Sequence, residues 1–182
     1  MPNSTSTLKS DLDRRLSSGG LVGAWALDPA RSSVRFRTKG MWGLAPVKGE
    51  FSEFQGTGRV DPEGRVTGNL TVAVASVSTK VKKRDIHLRS ADFFHAEQHP
   101  HMIFSVERVS TADGPARVLG TLEVAGKRRP LTVPMTFSSL GDGAIQLDAT
   151  FPINRADYGM NLTPMGASLL NTITVQAVFT RQ

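Results

Sequence analysis

The sequence predicts an all-β fold whose strands pair antiparallel and close into a barrel. Three observations carry this. From Trp25 onward the apolar residues recur with period two, which places alternate side chains on one face of a strand. Turn signals cut the chain into short runs of this kind, among them Asp61-Pro-Glu-Gly64, Asp113-Gly-Pro115, Ala125-Gly126 and Gly141-Asp-Gly143. The runs follow one another too closely to hold crossover helices, which excludes a parallel βαβ sheet. About eight such strands suffice to close a barrel and remove its edges. The same alternation is compatible with a two-sheet sandwich.

Residues 1–20 stand apart from this pattern as an N-terminal extension, and 21–182 read as one barrel domain. The extension is polar, but Leu8, Leu12 and Leu16 recur every four residues, which predicts a short amphipathic helix lying on the domain. Ser6 or Thr7 offers a cap for its start and Gly19-Gly20 a stop. In the barrel the first clean alternation is Val34, Phe36 and Thr38 against Arg35 and Arg37. Val66, Leu70 and Val72 repeat the pattern, then Met102, Phe104 and Val106, then Val118, Leu122 and Val124. Leu131 to Phe137, Ile145 to Phe151 and Ile173 to Phe179 complete it. Each run has one apolar and one mostly wet face, as antiparallel sheet requires. Gly43, Gly49, Gly56, Gly68 and Gly120 sit in or beside strands, as bends, bulges or space for a ligand. The stretch 76–100 is dense in charge, His and Phe and has no period; it predicts a helical turn or two crossing one end of the sheet.

Composition narrows the function. At 182 residues with 39% hydrophobic and 21% charged residues the chain is ordinary globular protein. No cysteine is present, so disulfides and thiolate metal sites are excluded. No apolar run approaches the ~18 residues of a membrane span, and the N-terminus lacks the apolar core of a signal peptide. The expected location is the cytoplasm. The net charge is +6 with a pI near 10.2, which favours anionic partners or simply serves solubility. Lys80, Lys82, Lys83, Arg84 and Arg89 form one basic run and Lys127-Arg-Arg129 a second; either is suited to transient contact with an anionic membrane. Aromatic residues do not interleave with them in a nucleic-acid motif, so nucleic acid is not an expected partner. The chain has no Gly-x-Ser-x-Gly elbow, phosphate-binding loop or H-E-x-x-H, and no catalytic residue is assigned.

The most specific segment runs Ser76-Val-Ser-Thr79, Lys83-Arg-Asp-Ile-His-Leu-Arg-Ser90, Asp92-Phe-Phe94, Glu97-Gln-His-Pro100 and Ile103-Phe-Ser105. It resembles the YceI-like family, with its Ser-Val-Thr-like strand end, R-D-x-H-L turn, D-F-F element and Pro before an apolar-F-x-S strand. Trp25-Ala-Leu-Asp-Pro29, Val47-Lys-Gly-Glu-Phe51, Gly120-Thr-Leu-Glu-Val-Ala-Gly126 and Arg155-Ala-Asp-Tyr-Gly159 extend the likeness from Trp25 to Phe179. His95 stands where the family commonly has Asp, His99 where it commonly has an aromatic, and Tyr158 where it has Phe. The loop 162–171 departs from the pattern.

The resemblance implies an extended eight-stranded, lipocalin-like barrel with a small helical element. It implies a long apolar ligand in the interior: a polyisoprenoid, an isoprenoid quinone or a fatty-acid amide, bound for storage, transport or shielding, with no cofactor beyond such a lipid. It also implies a possible homodimer. Burial favours such a ligand by about 0.8 kcal/mol per methylene, on the order of 10 kcal/mol for a fifteen-carbon chain before ordering costs. The candidate ligand-binding residues are Phe36, Trp42, Phe51, Phe54, Arg84, Asp85, His87, Phe93, Phe94, Phe104 and Tyr158. Phe36, Phe51 and Phe104 point inward by strand parity, and Trp42 sits in a Gly-flanked loop that suits an apolar mouth. Arg84 and His87 can donate to a head group, while Asp85 also suits a capping role. His95, Glu97, His99 and His101 would share a face if extended, but Pro100 interrupts them and no metal is assigned. Two other readings remain: a small barrel enzyme using His87 and Asp85 as acid and base on a hydrophobic substrate, and a basic interaction module for nucleic acid.

Overall fold

The computed structural model describes residues 4–112 and 114–182. Eleven strand segments form the sheet: β1 (Gly23–Leu27), β2 (Ser33–Gly40), β3 (Ala45–Phe51), β4 (Phe54–Val60), β5 (Val66–Ala73), β6 (Val77–Ser78), β7 (His101–Ser110), β8 (Arg117–Val124), β9 (Lys127–Gly141), β10 (Ala144–Asn154) and β11 (Leu170–Arg181). All pairings are antiparallel.

The eleven segments occupy eight wall positions, because three of the strands are broken. β1 and β2 lie end to end along β11, with Trp25 opposite Arg181 and Phe36 opposite Ile173. β4 and β3 continue that broken strand on the other side, and β5 and β6 pair with β4 and β3 in turn. β7 to β11 then run as a meander, and β11 meets β1 to close the ring. The closure replaces the sandwich alternative.

The breaks have local causes. Pro29 brings no amide hydrogen to a ladder, and the turn Pro29–Arg31 is capped by Asp28, which accepts from the Ala30 amide at 3.0 Å and pairs with Arg31 at 2.7 Å. The Ser76 hydroxyl spans the other two breaks: it donates to the Ala73 carbonyl at 2.7 Å and accepts from the Glu53 amide at 3.1 Å.

Two strand glycines mark close approaches of backbone. A Cβ at Gly120 would lie 2.1 Å from the Ser105 carbonyl oxygen, and one at Gly68 2.3 Å from that of Thr57. At Gly49, opposite Phe36 in the ladder, the space above the backbone holds the Phe36 ring.

One end of the barrel is closed. Helix α1 (Ser4–Ser17) lies where β1, β5, β8 and β10 begin. Its described span runs from Ser4, so Ser6 and Thr7 fall within the helix rather than before it. Leu12 is buried with Leu21, Trp25, Val60, Ala116, Met135 and Phe137, and Leu16 packs against the same cluster. Each buried leucine, valine, methionine or phenylalanine among them contributes roughly 1.5–3 kcal/mol by leaving water. The Trp25 indole donates to the Leu21 carbonyl at 2.9 Å, and the Arg181 guanidinium lies 4.6 Å from its ring centre while donating to Gly20 O at 2.6 Å. These bonds fix the segment between helix and barrel. Among the described residues no helix is long and apolar enough to cross a membrane.

The other end carries helix α2 (Lys82–Arg89), within the stretch the sequence marks as aperiodic. Beyond Ala73 the outer edge of β6 has left β7, whose first pairing is His101 with Ala73. Arg89 covers that edge: its guanidinium donates to the carbonyls of Ala75 at 2.9 Å and Val77 at 3.0 Å. This is a structural role for part of the first basic run.

Candidate functional site

The inward faces of the strands enclose a cavity of about 400 Å³ that runs along the barrel. It extends from Leu21 and Trp25 at the closed end to Arg84, His87 and Pro164 at the other. The alternating residues read from the sequence form its wall: Val34, Leu70, Phe104, Leu122, Leu147 and Val175 face it from six different strands. Among the described residues no aspartate or glutamate lines it. Arg84, His87, Arg155, Ser168 and Asn171 line it at the end opposite α1, the mouth.

Most of the predicted aromatic residues meet there. Phe36, Phe51 and Phe104 line the wall, as strand parity requires. Phe93 and Phe94 follow α2 and fold back over the interior. Phe51 links Phe36, at 5.7 Å between ring centres, to Phe94, at 5.9 Å and edge-on. Tyr158 is buried beside Phe93, Val124 and Met160, and that burial, with the nearby Asp157 charge, pushes its hydroxyl above the ordinary tyrosine pKa against the opposing effect of Arg129.

Arg84 and His87 reach the cavity from α2. Arg84 donates from Nε to the Thr79 hydroxyl at 2.8 Å and from Nη2 to the Thr79 carbonyl at 3.1 Å. Asp85, buried, accepts from the Thr79 amide at 2.8 Å and from its hydroxyl at 2.6 Å. Thr79 thus receives both neighbours and pins the first turn of α2 to the end of β6. His87 Nε2 lies 3.0 Å from Asp92 Oδ2, and its ring meets Phe93 edge-on at 4.9 Å. The carboxylate beside His87 is therefore Asp92, and the His87–Asp85 pair of the enzyme reading does not form.

Three predicted residues do not line the cavity. Asp85 points away toward Thr79. Phe54 opens β4 directly after the break at Ser52-Glu53 and packs into the wall cluster of Val34, Phe51, Val72 and Val77. Trp42 is 74% exposed, because Met41 and Trp42 both adopt positive φ in the turn Met41–Gly43 and carry the indole outward. The indole rests on Gly166, where a Cβ would come within 2.3 Å of the ring.

The metal arrangement is also absent. His95, Glu97 and His99 lie in turns rather than a strand, His95 at positive φ, so they share no strand face. His95 and His99 rings meet edge-on at 5.9 Å, and His101 is exposed at the start of β7. Among the described residues no three His, Cys, Asp or Glu converge as metal ligands.

The residue that sequence reasoning passed over is Arg155. It lines the cavity at the mouth and is 8% exposed. Its Nη1 donates to Met160 O at 2.6 Å, Nε to Ser168 O at 3.2 Å and Nη2 to Ala167 O at 3.4 Å. The guanidinium lies 5.4 Å from the centre of the Phe93 ring, and among the described residues no carboxylate pairs with it. Burial lowers its pKa from the usual arginine value. The signal was the Arg155-Ala-Asp-Tyr-Gly159 turn, whose arginine braces the loop 160–168.

A closed antiparallel barrel around an apolar tunnel, with cationic and hydrogen-bonding groups held at a single mouth, defines the class of lipocalin-like barrels. Within that class the chain belongs to the YceI-like domain family, which it matches over residues 25–180. UPF0312 proteins of Staphylococcus aureus are 28% identical over 145 residues, covering 75% of this chain and 82% of theirs. Among solved structures, Burkholderia cenocepacia BcnA superposes with a TM-score of 0.75 at 24% identity, over 84% of this chain and 98% of that one. A polyisoprenoid binding domain from Saccharophagus degradans gives 0.72 at 17% identity, over 87% and 98%. The Campylobacter jejuni YCEI protein gives 0.68 at 23%, over 76% and 87%. These likenesses establish the shared fold.

Proposed function

We propose that this protein binds one long apolar molecule in its tunnel and acts in storage, transport or shielding of that molecule, without a catalytic step. The observation that carries the proposal is the cavity of about 400 Å³, lined mainly by apolar side chains along its length and reached by Arg84, His87 and Arg155 at its mouth. That volume lies in the usual range of ligand pockets. The chain of a polyisoprenoid, isoprenoid quinone or fatty-acid amide suits the tunnel, and its polar end suits the donors of Arg84 and His87. The family and the polyisoprenoid binding relative from Saccharophagus degradans support this choice. Phe36, Phe51, Phe93, Phe94, Phe104 and Tyr158 would contact the chain.

The test is native mass spectrometry of the purified protein, with solvent extraction of what it carries. We expect a mass excess that the extract identifies as a long-chain lipid. A protein that repeatedly emerges empty, and takes up neither quinones, polyisoprenoids nor long-chain amides when offered them, would refute the proposal.

A further inference from the structure

The two ends of the barrel differ in charge. Four stretches build the mouth end: 35–53, 74–101, 123–129 and 154–171. They hold thirteen of the 22 Lys and Arg and seven of the 16 Asp and Glu, so they carry the entire net charge of +6. The rest of the sequence holds nine of each sign and is neutral.

Apolar exposure is equally one-sided. Of the nine large hydrophobic residues that stand exposed among the described residues, eight lie at the mouth end; the exception is Leu140. They fall into two groups. In one, Trp42 is 74% exposed, Leu44 85% and Met165 63%, where the turns Met41–Gly43 and Pro164–Gly166 meet. In the other, Val81 and Ile86 of the α2 segment are 46% and 56% exposed beside Lys82 and Lys83, which are also exposed. Met41, Trp42 and Met165 all hold positive φ, a conformation non-glycine residues adopt at a cost. A folded chain that only needed solubility would gain by turning these side chains inward.

We infer that the mouth end docks on an anionic lipid bilayer, with Trp42, Leu44 and Met165 seated at the headgroup level and the surrounding cations against acidic headgroups. Exposed aromatic and aliphatic side chains ringed by Lys and Arg match an interface that is apolar beneath and negative above. A second copy of this chain fits less well, because face-to-face packing would oppose two ends that each carry the full positive charge. Nucleic acid would use the cations but give Trp42, Leu44 and Met165 no apolar layer to bury in. The inference does not depend on which molecule the tunnel holds.

The two tryptophans make the test direct, since Trp25 is 5% exposed and Trp42 is the accessible one. The full chain is titrated with vesicles of phosphatidylcholine alone and of phosphatidylcholine with about a third phosphatidylglycerol. We expect at least about tenfold stronger partitioning onto the anionic vesicles, abolished by molar salt. Trp42 should become shielded from iodide and quenched by brominated lipid. The double variant Trp42→Ser, Met165→Ser and the double variant Lys82→Glu, Lys83→Glu, each with an unchanged circular dichroism spectrum, should each bind at least about fivefold more weakly. No binding, equal binding to both vesicle types, or binding that leaves Trp42 open to iodide would overturn the inference. So would shielding of Trp42 that rises with protein concentration alone, or that duplex DNA produces equally well.

Discussion

If the tunnel holds an aliphatic chain, its length should control affinity until the tunnel is full. The perturbation is the ligand: a saturated amide series in which only the number of methylenes changes. Each buried methylene should add about 0.8 kcal/mol, or roughly a fourfold drop in Kd. If each carbon occupies the ~30 Å³ that a water claims in the liquid, the cavity of about 400 Å³ takes roughly thirteen carbons. The head group and the cost of association shift every member alike and leave the slope untouched. Isothermal titration of the series should therefore give a straight line in log Kd with a break near thirteen carbons. Ala149, on β10 at mid-tunnel, supplies the control. Ala149→Phe should move the break to shorter chains and keep the slope, because it removes space and not apolar character. A series with no slope, or a break that the Ala149→Phe variant leaves in place, would show that the chain does not lie in the tunnel.

Three further outcomes follow from the mouth. Arg155→Met removes the donors to Met160, Ser168 and Ala167; set against relief of desolvation, the loss should be about 3 kcal/mol, seen as a fall of about 6–12 °C in Tm by circular dichroism. Tyr158 is the sole tyrosine, so phenolate absorbance reads it alone. Its raised pKa means that it supports the fold below the ordinary value of about 10, and that this support is lost as pH rises through the folded value. Absorbance should titrate above about 10 in the folded protein and return to about 10 on unfolding in denaturant. Thr79→Val takes the shared hydroxyl from both Arg84 and Asp85. Stability should drop by about 1–3 kcal/mol, with faster amide hydrogen exchange confined to α2 and its flanks.

The wall of the tunnel was legible in the sequence because strand parity alone decides which way Val34, Phe104 or Leu147 points. A neighbour need not be known. The aperiodic stretch was legible as a helical crossing for the converse reason, since its apolar residues fit neither face of a strand. What could not be read were contacts between segments far apart in the chain. Trp42 looked like a mouth aromatic, but its outward direction depends on the positive φ of its own turn and on Gly166 beneath its ring. Arg155 is meaningless in isolation, because its partners are three main-chain carbonyls whose directions the fold alone sets. The breaks after Phe51 and Ala73 carry no proline or glycine, and a serine hydroxyl holds them. The pairing of His87 with Asp92 instead of Asp85 follows from the helix: residues two apart face different ways on it.

Helix α1 seals one end of the barrel with Leu12, Leu16 and the buried Trp25, and that seal imposes a direction. A narrow tube with a single opening has an order of threading. A chain with one polar tip goes in tail foremost and leaves tip foremost, without turning round inside. The molecule would thus be presented in the orientation it has in a lipid leaflet, tip at the surface and tail behind. Loading and unloading become one path run in opposite senses, through the same ring of residues at the mouth, so a change there should alter both rates together.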